Sequence, residues 1–182
     1  FLYMNYLKSL TIMSSCFLFT TPLIAAEQTV ANAQKFLTII LPDKGIQSGD
    51  LKKYFSDMAD EHDGSARLEG YSKITNVTTI DRCISKINYD NNSLSLRVYH
   101  GGSMVEPVVS LRPDLRLGST ENGIDWGKVL EVKQSKELVS IRLKNNEPYT
   151  IFSLGSEDIA TRVNYAMTFL KQKCDPANGT GF

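Results

Sequence analysis

Apolar residues Val30, Ala33, Phe36, Leu37 and Ile40 recur at three- and four-residue steps and stop at Pro42. That spacing puts them on one face of a helix, and proline ends it because it has no amide proton to donate. Leu51, Tyr54, Phe55 and Met58 repeat the spacing and predict a second helix that closes in the polar stretch Asp60 to Gly64. From Tyr71 to Phe152 the period shortens to two. Leu94, Leu96 and Val98 alternate with Ser95, Arg97 and Tyr99, and Val139, Ile141 and Leu143 alternate with Ser140 and Arg142. Ile124, Trp126, Leu130 and Val132 are assigned to one face of a further strand, with Lys128 as the exception. Turn residues at Asp90 to Asn92, Gly101-Gly102, Glu121 to Gly123 and Asn145 to Pro148 separate these runs, and turns this short imply antiparallel pairing. The last segment reads as a helix. Ser156 offers a capping oxygen, Glu157 and Asp158 suit the positive end of the dipole, and Lys171 and Lys173 suit the other. Ile159, Val163, Ala166, Met167, Leu170 and Cys174 form its apolar stripe.

The resulting class is α+β: two N-terminal helices, an antiparallel sheet or partly closed barrel of about six or seven strands, and a C-terminal helix over one open end. Residues 27–174 form this single domain, and residues 175–182 are expected to be a flexible tail.

The N-terminal residues follow a different logic. Lys8 precedes an apolar run through Leu10, Ile12, Met13, Phe17, Leu18, Phe19, Leu23 and Ile24, and small residues Ala25 and Ala26 follow. A cationic start, a short apolar core and a small-residue exit define a secretory signal peptide, residues 1–26, with initiation expected at Met4 and cleavage after Ala26. Thr11, Ser14, Ser15, Thr20, Thr21 and Pro22 break the run well below the ~20 apolar residues a bilayer requires, so no stable membrane anchor is expected after cleavage. The expected location is the periplasm or the exterior.

Export changes the reading of the cysteines. Cys16 leaves with the signal, and Cys83 and Cys174 remain as an even pair in an oxidising compartment, where a disulfide is the economical pairing. With Cys174 on the apolar stripe, that bond would pin the last helix to the sheet. A catalytic thiol would instead need a histidine partner, and only His62 and His100 offer one.

The 182 residues are 42% hydrophobic and 22% charged, which excludes disorder, and 20 basic residues balance 20 acidic ones. Nucleic-acid binding is not expected from a chain with no excess of cations. His100-Gly101-Gly102-Ser103 places a base beside a hydroxyl, but glycine pairs also make tight hairpin turns, and the chain has no Gly-x-Ser-x-Gly elbow. The cluster Asp57, Asp60, Glu61, His62 and Asp63 fails the calcium-loop spacing, because aligning Gly64 with the obligatory glycine leaves Ala59 and Gly70 where carboxylates are needed. No metal or cofactor is therefore expected. Lys128, Lys133, Lys136, Arg142 and Lys144 interleave with Glu131, Glu137 and Glu147, a mixed-sign strand surface. Trp126 reads as a core or rim aromatic.

Two resemblances follow. The order of Ile124 to Val132, Leu138 to Leu143, Tyr149 to Leu154 and the helix from Ser156 to Cys174 resembles the closing strands and capping helix of a pleckstrin-homology-like barrel. That likeness implies lipid or peptide binding, although the basic loop such folds use for inositol phosphates has no match here. The chain also resembles small exported bacterial proteins that end in an Ala-Thr-Arg-Val-x-x-Ala-Met-x-Phe-Leu helix followed by Cys-Asp, here Ala160 to Asp175, and by Thr-Gly-Phe, here Thr180 to Phe182. No activity comes with that second likeness. The expected function is a non-enzymatic accessory or binding module of the cell envelope. It would hold a protein or a small apolar ligand at a sheet edge or in a groove between helices and sheet. The alternative is a secreted serine-type hydrolase using His100 and Ser103.

Overall fold

In a computed structural model of the chain, the residues described are 28–61, 64–101, 103–104, 109–110, 115, 117–144 and 146–177. The expected signal peptide and the end of the tail, residues 178–182, lie outside the described residues.

The chain opens with helix α1 (Val30–Ile40), strand β1 (Gly45–Gln47) and helix α2 (Gly49–Asp60). Thr29 caps α1 by accepting from the Asn32 amide at 3.1 Å, and Val30, Ala33 and Leu37 face the core as their spacing requires. Strands β2 (Gly64–Gly70), β3 (Ser72–Asp81), β4 (Ile84–Asp90), β5 (Leu94–His100), β6 (Ser103–Met104) and β7 (Val109–Ser110) follow. A short helix α3 (Ser119–Asn122) leads to β8 (Ile124–Asp125), a 3-10 turn over Trp126–Lys128, then β9 (Val129–Ser135), β10 (Leu138–Leu143), β11 (Asn146–Ser153) and helix α4 (Glu157–Cys174). Ser156 caps α4 at the Ile159 amide, and Val163, Met167 and Leu170 are fully buried.

The class is α+β, but the barrel is not formed. Seven strands make one open sheet in the order β8-β4-β3-β1-β11-β10-β9, and a second, four-stranded sheet runs β2-β5-β6 with β7 also on β5. Every pairing is antiparallel. The edge strands β8 and β9 share no ladder, yet only Trp126–Lys128 separates them in the chain. Seven flat strands would hold their edges about 29 Å apart, whereas four extended steps of backbone reach only about 14 Å. The sheet must therefore coil, with α4 lying against the turn, β9 and β10. A barrel-like order of elements without closure is the outcome.

The face assigned to Ile124, Trp126, Leu130 and Val132 is also corrected. Asp125 accepts from the Gly127 amide at 3.0 Å and bends the chain into the 3-10 turn, and a register shift against β10 early in β9 then brings both Val129 and Val132 onto the core. Ile124 and Trp126 are buried and Leu130 is exposed.

Two strands have no counterpart in the sequence pattern. β1 is three residues long, too short to alternate visibly, yet it sits at the centre of the large sheet between β3 and β11. β2 carries Arg67 and Glu69 where an apolar run would have announced it. The chain passes from β2 in the small sheet to β3 in the large one through Gly70, whose φ of 81° is open chiefly to glycine. Its missing side chain matters too, because a Cβ would stand 2.5 Å from the Ser93 carbonyl oxygen.

Cys83, at the β3–β4 turn, and Cys174, at the end of α4, are joined by a disulfide with sulfur atoms 2.10 Å apart. The bond ties α4 to the sheet beside Trp126, whose amide donates to the Cys83 carbonyl at 2.9 Å. Among the described residues no helix is long and apolar enough to cross a membrane.

Candidate functional site

A cleft of about 890 Å3 opens where the two sheets diverge. β1 fills the space between β3 and β11 for three residues, then turns at Ser48 into α2. Beyond that turn, the edge of β2 forms one wall, Arg142 of β10 with Pro148 and Tyr149 of β11 forms the other, and α2 presents Lys52, Phe55 and Ser56 between them. Those three α2 residues share a face because they stand three and four positions apart. Cleft and short strand thus have one cause, the early end of β1.

Gln47, the last residue of β1, closes the inner end. Its side-chain amide donates to the Leu68 carbonyl at 3.3 Å and to the Gly70 carbonyl at 3.1 Å, tying the two sheets together. The Leu68 and Gly70 carbonyls at this end of β2 are therefore already engaged.

The charges divide between the walls. On the β10–β11 side, Glu131 receives Lys133 at 2.8 Å and the Tyr149 hydroxyl, with the Arg142 guanidinium 3.8 Å away. Hydrogen bonds from Lys133 and then Tyr149 hold the Glu131 carboxyl below the usual glutamate range, and the Glu131 carboxylate raises Lys133. Lys133 and Arg142 also approach the Tyr149 ring, at 5.7 and 5.5 Å from its centre. This wall is a balanced network.

The other wall is not balanced. In the β2–β5 ladder Arg67 stands directly opposite Arg97, and Glu69 spends its carboxylate on Arg97 Nε at 2.8 Å. Arg67 instead faces Lys52 of α2. Burial pushes the Lys52 ammonium below its ordinary pKa, and the neighbouring Arg67 charge pushes it further. Among the described residues neither Lys52 nor Arg67 takes part in an ion pair or a hydrogen bond to a side chain.

The residues singled out from the sequence lie elsewhere. The backbone pairs His100 with Ser103 across the β5–β6 hairpin, with Gly101 at φ 56°, as a glycine-pair turn requires. His100 also pairs with Gly64, at the opposite end of β2 from Gly70 and the cleft. Of the acidic cluster, Asp57 pairs with Lys53 on the exposed face of α2 at 3.0 Å, while His62 and Asp63 lie outside the described residues. Lys128 pairs with Asp125 at 3.2 Å and Lys133 with Glu131, so these strand surfaces carry mixed signs, as expected. Sequence reading missed Lys52, Arg67 and Tyr149. A helix lysine and a strand arginine separated by a turn leave no local signal, and only the return of β2 alongside α2 brings them together.

Comparison of the chain with protein-family models finds no match, and comparison with curated proteins finds none.

Proposed function

We propose that the protein is an exported, non-enzymatic binding module of the cell envelope, and that the cleft between β2, α2 and the β10–β11 wall holds its ligand. The observation that carries this reading is the Lys52–Arg67 juxtaposition. Two like charges brought together, one of them on the half-buried Lys52 and the other on the exposed Arg67, cost stability, and neutralising or separating them would remove that cost. The size of the cleft falls in the usual range for small-molecule sites. Its lining of Lys52, Arg67, Gln47, Tyr71 and Tyr149 favours a polar ligand over the apolar one expected from the sequence. The N-terminal pattern and the Cys83–Cys174 bond both support passage into an oxidising compartment.

Native mass spectrometry of the protein, purified gently from the envelope fraction, tests this. The expected result is a small molecule retained by the wild type and lost from a Lys52→Ala/Arg67→Ala variant with an unchanged circular-dichroism spectrum. Equal retention by both proteins would remove the cleft as the site.

A further inference from the structure

We propose that the group received by the cleft is an oxyanion, a carboxylate or phosphate on a small soluble molecule, seated between the Lys52 ammonium and the Arg67 guanidinium. The proposal deepens the reading of the cleft as a ligand site and rests on it.

Four observations point the same way. First, among the described residues, Lys52 of α2 and Arg67 of β2 both line the cleft beside a single carboxylate, Glu69, which is committed to Arg97, the residue opposite Arg67 in the ladder. Second, three groups that would repel an anion are already occupied: Gln47 takes the Leu68 and Gly70 carbonyls, and Arg97 takes Glu69. Third, the groups that attract one differ usefully in geometry. A guanidinium offers a planar fork that fits two oxygens of one oxyanion, and an ammonium adds a compact point charge with three donors. Fourth, the repulsion between Lys52 and Arg67 acts where burial has already weakened hydration of the lysine. An anion between them replaces that repulsion with two charge-assisted hydrogen bonds.

The rest of the lining suits the organic part of such a molecule. Phe55, Tyr71 and Tyr149 are half-buried and flank the cationic wall, offering ring faces to a flat or apolar body. Arg142 and Tyr149 are held in place from the far wall by Glu131, so that wall is pre-organised without adding a free carboxylate to the site. Other concavities on the molecule lack this pattern. The one near α3 pairs Lys128 with Asp125 and carries Asp50, which accepts from the Ser119 amide and hydroxyl, and the groove between α1 and α4 sets Arg162 over the Phe36 ring.

The test titrates the disulfide-bonded protein with inorganic phosphate, and separately with succinate, at low ionic strength, and follows backbone amide shifts and affinity by NMR. The expected result is saturable shifts centred on Lys52, Arg67 and Gly70. Affinity should fall about tenfold for Lys52→Ala and for Arg67→Ala, as befits loss of one charge-assisted bond. It should be retained by Lys52→Arg and by a Lys173→Ala control at the far end of α4, and should weaken as salt is added. Stronger binding of phosphate assigns the oxyanion to a phosphoryl group, and stronger binding of succinate assigns it to a carboxylate. Binding of neither anion, or binding indifferent to both alanine substitutions, overturns the proposal. If both anions fail while the envelope-derived molecule still depends on Lys52 and Arg67, the oxyanion is wrong and the cleft stands. If that molecule is indifferent to the cleft residues, the ligand-site reading itself falls.

Discussion

Replacing Trp126 with alanine is expected to lower the unfolding free energy by about 3–5 kcal/mol, the usual cost of removing a fully buried large aromatic. Trp126 has no solvent exposure, and its indole N–H donates to the Ser85 hydroxyl at 3.0 Å. The same hydroxyl lies 3.4 Å from the Gln34 side-chain amide of α1, so the substitution opens a cavity and also weakens a contact between helix and sheet. The position explains the size of the effect. Trp126 starts the turn that carries the chain from edge strand β8 to edge strand β9, and α4 rests on that turn. Trp126→Phe separates the terms, since it keeps most of the packing and loses the hydrogen bond, and about 1–2 kcal/mol should follow. Urea unfolding followed by far-ultraviolet circular dichroism is the appropriate measurement, because this is the chain's single tryptophan and its fluorescence disappears with it. A loss under about 1 kcal/mol for the alanine variant would mean that the turn is not packed as described.

The second large effect belongs to the disulfide. Cys83 and Cys174 are separated by 91 positions, and closing a loop of that length restricts the unfolded chain by about 4–5 kcal/mol on the loop-entropy model, although measured losses more often span about 2–5 kcal/mol. The double variant Cys83→Ala/Cys174→Ala should therefore unfold roughly 10 °C lower than the wild type. Added reductant should move the wild type toward the variant and leave the variant unchanged. Identical melting temperatures with and without reductant would show that the bond is absent from the protein in solution. The Trp126 and disulfide effects should not add. A Cβ on Gly127 would lie only 2.5 Å from the Cys174 carbonyl oxygen, so the turn and the end of α4 share one packing unit, and removing either member relaxes the other.

Much of the fold was legible because its signals are local. α1 and α4 follow from apolar spacing with capping residues Thr29 and Ser156 at their starts, and β5 and β10 from strict alternation. The Cys83–Cys174 bond follows from counting cysteines once export is assumed. What escaped depends on contacts distant in sequence. β1 owes its place to neighbours on both sides, Ser72–Lys73 of β3 and Ile151–Ser153 of β11, rather than to its own three residues. The sequence left an antiparallel sheet and a partly closed barrel both open, because the order of elements is shared by both, and the difference lies in whether β8 and β9 pair. The candidate site escaped for the same reason. Lys52 lies on a helix flank and Arg67 on a charged strand, and each alone reads as an ordinary solvated cation. Their meaning comes from the end of β1 at Gln47, which no side-chain pattern encodes.

The claim underlying the site is that a half-buried Lys52 stands beside Arg67, for which no ion pair is found among the described residues, and the Lys52 ammonium reports on this directly. For a lysine whose pKa is lowered by folding, the unfolded chain binds more protons in the window just below the ordinary lysine value, so stability should rise with pH there. The decisive measurement is an NMR titration of the Lys52 side chain in the wild type and in Arg67→Ala. The account predicts a midpoint below that of the exposed lysines in the wild type and a partial return toward them in the variant. A Lys52 that titrates with the exposed lysines in both proteins would contradict it.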